Sequence, residues 1–410
     1  MQSKSVLATI LTLAAAGVAS SAPLDSPSTS TGLARRWLPS TDKIRGVNLG
    51  SQFIIEPWMA WDEWNSMGCG NRNDEWQCVE ALGQDAADAA FRRHWDTWTT
   101  QDDIWQIKSL GLNTVRIPVG FWIYERLVKA DEHFPRGGLA YLDRLVGWCR
   151  DAGLYVIMDL HAGPGGQTTR QQFTGHSVDY PGFYTQENYE RTYQFLEWMA
   201  ERIHTNDNYR TVGTLQVMNE PVHSSEYPDL AANMVANFYP GAWTRIRDRE
   251  RQLGVADNER LHIQMMGIAW GSGNPSSHLP DTSLALYDDH RYYKWDPSVT
   301  TTKDGYISAV CRDYRGGSDI IMGEWSLAVA DSVQSNGEFE IRGRPDQVAW
   351  YRKYWAAQAQ AFERSGGWVF WTWKCNWIGG FDEWRWCYQS AVAAGVIPRD
   401  AGSASQESPC

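Results

Sequence analysis

The chain has little that would place it in a membrane. Beyond its first residues no apolar run approaches 18 positions, and the run at residues 6–13 is too short to span a bilayer. It has no Gly-x-Ser-x-Gly elbow and no His-Glu-x-x-His pair, which argues against serine-hydrolase and zinc-protease chemistry. Its one Asn-x-Ser match is spoiled because Pro275 follows Asn274. Basic side chains are the minority, 37 Lys and Arg against 49 Asp and Glu, for a net charge of −12. Setting aside residues 1–36, which carry Lys4, Arg35 and Arg36 against Asp25, makes the balance −14. Such a surface repels nucleic acid and anionic membranes and suits a neutral partner.

What is present at the start reads as an address label. Lys4, the apolar stretch and small residues through Ala22 form the pattern of a secretory signal peptide over residues 1–22. Residues 23–36 are rich in Ser, Thr and Pro and end in Arg35-Arg36, as a propeptide cut at the basic pair or a disordered tail would. Cleavage there would leave Trp37 first. Residues 37–400 then form one barrel-sized domain without a linker, with 401–410 as a C-terminal tail. The expected product is a secreted, extracellular monomer. Of seven cysteines, Cys69 with Cys78 and Cys375 with Cys387 close short loops and are the expected disulfides. Cys149, within an apolar helical pattern, is expected as a buried free thiol, and Cys311 and Cys410 carry no assignment.

Eight short runs rich in β-branched or aromatic residues can be counted, at 44–50, 114–119, 155–161, 214–220, 261–267, 284–290, 319–324 and 368–374. Helical patterns such as 95–110 and 141–152 stand between several of them, each followed by a Gly. Alternation of this kind predicts an α/β fold, a (β/α)8 TIM barrel in a single domain. Long insertions at 51–85 and 162–182, loaded with Trp, Tyr, Gly and Gln, would sit on its catalytic face.

The polar residues that look chemical fall at the ends of these runs: Arg116, Asp159, His161, Asn219, Glu220, His290, Tyr292 and Glu324, with Trp371 and Trp373 in the last. Alone, a strand-end Arg or His reads as a hydrogen-bonded core residue, and a strand Trp as packing. A barrel gathers all its carboxyl ends round one axis, so residues hundreds of positions apart become neighbours in one cleft. Polar groups at the ends of five runs are hard to explain by packing, because each such burial is destabilising unless the site has a use.

Cleaving an acetal takes a carboxylic acid to protonate the departing oxygen and a carboxylate to meet the charge at the anomeric carbon. Glu220 and Glu324 can divide those roles, and a separation of about 5–5.5 Å would give a covalent glycosyl-enzyme and net retention. Arg116 would keep Glu324 ionised, Asn219 would hold a neighbouring hydroxyl, Tyr292 would bond Glu324, and His161 and His290 would place sugar hydroxyls or tune Glu220. The 23 Trp suit pyranose faces. Trp371, then Trp373 and Trp58, are the candidate subsite aromatics, and Glu56 is a further hydroxyl acceptor. Asp159 with His161, or Asp288, Asp289 and His290, would be weak metal ligands; neither metal nor cofactor is expected. The rival of another class is a sugar-binding barrel that has lost its chemistry.

These residues resemble glycoside hydrolase family 5. The motifs that carry the resemblance are Arg116-Ile117-Pro118, Asp159-Leu160-His161, Asn219-Glu220-Pro221, Asp289-His290-Arg291-Tyr292, Gly323-Glu324-Trp325 and Phe370-Trp371-Thr372-Trp373. The resemblance implies Glu220 as acid/base and Glu324 as nucleophile, with Arg116, His161, Asn219, His290, Tyr292 and Trp371 completing the site. The opening at 44–50 and the ending at 367–371 are similar to a fungal β-glucanase branch that includes exo-β-1,3- and endo-β-1,6-glucanases. Segments at 67–70, 262–266, 270–273 and 391–398 look most like the endo-β-1,6 type, so the implied partner is a β-glucan polysaccharide. After Gly166-Gln167 the sequence continues Thr168-Thr169-Arg170 and departs from the exo-type pattern, in which an Asn and a Phe-Asp pair help close a pocket round the chain end.

Overall fold

The computed structural model describes residues 43–376 and 383–410. The leader and processing site expected within 1–36 lie outside the described residues. Eight parallel strands close on themselves in chain order: β1 (Ile44–Asn48), β2 (Thr114–Gly120), β3 (Tyr155–Ala162), β4 (Val212–Gln216), β5 (His262–Met266), β6 (Ala285–Arg291), β7 (Ile320–Trp325) and β8 (Gly367–Phe370). Closure is made by β1 against β8, with Ile44 opposite Gly367 and Val47 opposite Phe370. The predicted (β/α)8 barrel is the fold.

Side-chain alternation sorts the strands into two cores. Outward residues such as Val115, Ile117, Val156, Met158, Leu160, Leu215 and Ile263 join one large cluster with the inner faces of the helices, among them Leu142, Leu145 and Val146 of Leu139–Asp151 and Phe195, Leu196 and Met199 of Gln186–Thr205. Inside the barrel, Ile44, Tyr155, Ile157, Ile321 and Val369 form a smaller apolar plug at the strand starts. Above that plug the interior turns polar, with Asn48, Arg116, Asp159, Gln216 and Asp288 all buried.

Three boundaries differ from the sequence pattern, each for a local reason. The helical pattern at 95–110 is two helices, Gln84–Thr97 and Gln101–Ser109, because the Thr100 side chain accepts from the Asp103 backbone while Asp103 accepts from the Thr100 N–H, a capping box that restarts the helix. The fourth run leaves the ladder after Gln216: the Asn219 N–H bonds the Leu160 carbonyl and Glu220 adopts φ +35°. The last run ends as strand at Phe370, after which Thr372 and Trp373 are held through Trp386 and Asn48 carbonyls instead.

Both expected disulfides are present, and a third joins Cys311 to Cys410 across 99 positions, a distance over which spacing gives no signal. Cys149 is a buried free thiol whose burial pushes its ionisation far up. Residues 401–410 pack onto the barrel through buried Ala401 and Ala404. Since the Cys311–Cys410 bond closes the longest loop of the three, its removal in C311S should destabilise the protein by about 5 kcal/mol on the loop-entropy scale. A lower urea midpoint, with a slope that rises as the uncrosslinked denatured chain exposes more surface, is the expected reading.

Candidate active site

A cleft of about 630 Å³ opens at the carboxyl ends of the strands, and Glu220 and Glu324 both line it. The register shift between β6 and β7 at Asp289 and His290 brings His290 opposite Glu324. One carboxylate oxygen each of Glu220 and Glu324 and one His290 ring nitrogen all lie within 4.8 Å of one another. His290 Nδ1 is 2.6 Å from Glu220 Oε1 and 3.5 Å from Glu324 Oε2. Its Nε2 faces Asp288 Oδ2 at 3.3 Å.

Beneath this trio sits the Arg116 guanidinium, fully buried. Its Nη1 donates to Glu324 Oε1 at 3.1 Å and to Asn48 Oδ1 at 2.8 Å. Its Nη2 donates to Asn219 Oδ1 at 2.7 Å and lies 3.0 Å from Asp159 Oδ2, while Nε donates to Gln216 Oε1. Thus the carboxylates read as possible metal ligands, Asp159 and Asp288, face a guanidinium whose charge balances theirs. Gly323 makes room for this layer, since a Cβ there would stand 2.0 Å from Asp288 Oδ1, the atom that accepts the Gly323 N–H.

Electrostatics follow from burial and these pairings. Burial alone would lower His290, but the charges of Glu324 and Asp288 outweigh it and raise the imidazole well above its usual range, so the ring stays cationic. Burial likewise works against ionised Asp288, yet His290 and Arg116 hold it below the usual carboxylate range. Burial raises Glu324, with the charge of Glu220 adding to it and His290 and Arg116 pulling it back. Burial also pushes Tyr292 well up, so its hydroxyl keeps its proton and donates to Glu324 Oε2 at 2.8 Å. Glu56, 6% exposed, is pushed up to about 8 chiefly by burial, opposed by the Trp58 indole that donates to it at 2.8 Å. The sequence suggests a hydroxyl acceptor; holding its proton at neutral pH, Glu56 can donate as well.

Of the sequence candidates, Glu56, Trp58, His161, Asn219, Glu220, Tyr292, Glu324 and Trp371 line the cleft. Arg116 and His290 support them from below. His161 bonds Asp159 at 2.6 Å through Nδ1 and stacks on Trp371 with 5.6 Å between ring centres. Trp373 is not brought there: it is buried, its indole N–H donates to Asp103 and its ring lies along Tyr388, because it sits two residues past Trp371 on a segment that has left the strand. Sequence reasoning missed Trp270, Trp295 and Trp386, which also line the cleft, and the polar supports Asn48 and Gln216. The three Trp end short helical turns, Ile268–Trp270, Tyr293–Trp295 and Glu383–Trp386, which are too brief to show a periodic pattern. Asn48 and Gln216 lie inside the counted runs 44–50 and 214–220 and end β1 and β4 only in the structure, so the run ends did not single them out.

The family described as cellulase (glycosyl hydrolase family 5) matches residues 61–376. The chain belongs to that family and is a glycoside hydrolase. It is 52% identical over 378 residues to glucan endo-1,6-beta-glucosidase B of Emericella nidulans, covering 92% of this chain and 90% of that one. More distantly, it is 26% identical over 411 residues to glucan 1,3-beta-glucosidase 2 of Wickerhamomyces anomalus, covering 91% and 92%. The crystal structure of rutinosidase from Aspergillus niger shares the fold, with a TM-score of 0.67 at 19% identity over 87% of this chain and 98% of that one.

The pairing of His290 with Glu324 sets the sign of a pH effect. Replacing the cation in H290N should raise the already elevated Glu324 carboxyl further. Activity that needs its carboxylate will then be lost at a higher pH as acid is added. The acid limb of the kcat/KM profile should move upward; a limb that stays in place or moves down contradicts the pairing.

Proposed function

We propose that the chain is a secreted endo-β-1,6-glucanase that cleaves β-glucan with net retention through a covalent glycosyl-enzyme. The observation that carries the mechanism is the approach of the Glu220 and Glu324 carboxylates, with oxygens within 4.8 Å, which suits attack by one of them better than attack by an interposed water. Glu324 is the nucleophile: Arg116 and Tyr292 each bond one of its oxygens, and the His290 cation offsets the effect of its burial. Glu220 is the acid/base. It shares the His290 Nδ1 with Glu324, and its side chain reaches the cleft from a backbone turn rather than from the strand.

In the first step Glu324 attacks the anomeric carbon as the glycosidic bond breaks, and Glu220 passes its proton to the departing oxygen. In the second, Glu220 removes a proton from water, which attacks the same carbon and releases Glu324. Asn219, fixed by Arg116, faces the hydroxyl beside the anomeric carbon. Trp371, backed by His161, offers a flat apolar face to the ring, and Glu56 and His161 meet hydroxyls at its edge. The glucan and its linkage are carried over from the relative that is 52% identical. Secretion is supported by the three disulfides, which persist in oxidising compartments, together with the leader pattern.

Two measurements test this reading. On a β-1,6-glucan, with laminarin and carboxymethyl-cellulose in parallel, E324Q should lose at least about a thousandfold in kcat. Proton NMR of the reducing end should show the β-anomer first; the α-anomer appearing first excludes the covalent route. Azide should restore turnover of an activated aryl glycoside by E220A and yield the β-glycosyl azide, because the small anion needs no base to attack the covalent intermediate.

A further inference from the structure

The turn that carries Glu220 is held by residues outside the cleft. β3 and β4 pair as far as Asp159 and Gln216, and beyond that register a side chain joins the two strand ends. Gln167, fully buried in the loop after β3, does so with its amide. Its Nε2 donates to the His161 carbonyl at 2.7 Å and to the Asn219 carbonyl at 3.1 Å, and its Oε1 accepts the Gly163 N–H at 3.1 Å. Gly165 and Gly166, at φ +81° and +75°, turn the chain just before it, a conformation that glycine takes without strain. On the far side of Glu220, the Val222 N–H donates to the Tyr184 hydroxyl at 2.8 Å, and that hydroxyl donates in turn to the Gln167 carbonyl at 2.8 Å. Burial pushes the Tyr184 hydroxyl well up, so it keeps the proton it donates. Gln167 and Tyr184 thus form one chain of bonds from Asn219 to Val222, and Glu220 lies between its two ends. Neither side chain lines the cleft.

Glu220 needs such a brace. Its φ of +35° is one that residues with a side chain rarely adopt, and a backbone of that kind persists only where its surroundings over-determine it. Release of either end lets the turn relax toward an ordinary φ, and the carboxyl moves with it. Glu324 is held by other means, through Arg116 and Tyr292, and the Asn219 side chain keeps its own anchor on Arg116. We propose that Gln167 and Tyr184 are positioning residues for proton transfer, fixing the Glu220 carboxyl where it meets the departing oxygen while touching no substrate themselves. The proposal rests on the two-step reading above. It confines the effect to one carboxylate: attack by Glu324 does not depend on the brace, whereas protonation of the departing oxygen, and later removal of a proton from water, both do.

The test varies how much the departing group needs a proton. Dinitrophenolate leaves a β-glycoside without one, whereas phenolate leaves poorly unless Glu220 assists. The donors are the two aryl β-gentiobiosides, or the aryl glycosides of whichever linkage the wild-type enzyme cuts, compared by kcat/KM, which reports bond breaking alone. Q167M keeps the length of the side chain and loses its donors; Y184F loses only a hydroxyl. In each, kcat/KM for the phenyl glycoside should fall about tenfold, the order expected for a displaced general acid, while that for the dinitrophenyl glycoside stays within about twofold. The kcat for the dinitrophenyl glycoside, limited by attack of water on the intermediate, should fall as well and be restored by azide. Equal falls in kcat/KM on both donors, or an unchanged ratio, overturn the proposal, because a purely structural pair would act on both alike. If Q167M does not fold, Y184F decides alone. E220A tests the underlying reading separately: it should show the same selective loss, only larger, and an equal loss on both donors there removes the acid/base assignment itself.

Discussion

One buried cation organises the catalytic end of the barrel. The Arg116 guanidinium has donors directed at Gln216, Asn48, Asn219 and Glu324, with Asp159 beside it, so β1, β2, β3, β4 and β7 or the segments that follow them are tied to a single planar group. A charge so placed is stable only while its partners remain in position, and each partner's burial is tolerable only because the charge is there. The fork geometry of arginine is what allows this, since a lysine would present one point charge to groups that lie in several directions. Catalytic geometry and local stability are therefore one problem in this protein.

A second cation sits a layer above. His290 stands between the two catalytic carboxylates and Asp288, and it remains charged because those anions outweigh its desolvation. The pair of cations lets four carboxylates, those of Asp159, Asp288, Glu220 and Glu324, come close in a cavity largely closed to water. Glu56 is bonded by the neutral Trp58 indole, and burial keeps its proton on.

The sequence pattern made the barrel and the centre of its site legible because both are written in strand chemistry. β-branched runs gave the strands, and the polar residues that ended them gave Arg116, His161, Glu220, His290 and Glu324. Trp371 followed from the same rule, and Trp373 shows its limit, since alternation ceases to hold once the chain departs from the ladder. The Thr100 capping box was visible as a Thr with an acidic residue three places on, but the apolar spacing on either side masked it. Trp270, Trp295 and Trp386 could not be separated from structural tryptophans, because each stands on a turn of only three or four residues that carries no pattern of its own. The Cys311–Cys410 pairing is a product of tertiary folding in the same sense.

The meeting of β1 with β8 joins segments more than three hundred positions apart. Asn48, at the end of β1, donates to carbonyls of Gly323 and Phe370 on β7 and β8 while its own oxygen receives Arg116. The anchor of the catalytic cation is thus complete only when the cylinder shuts. During refolding, helix content and the burial of most tryptophans can return before that event, since they rely on nearer neighbours. Regain of hydrolysis should then lag behind both signals, and the enzyme's own turnover becomes a clock for the final long-range contact.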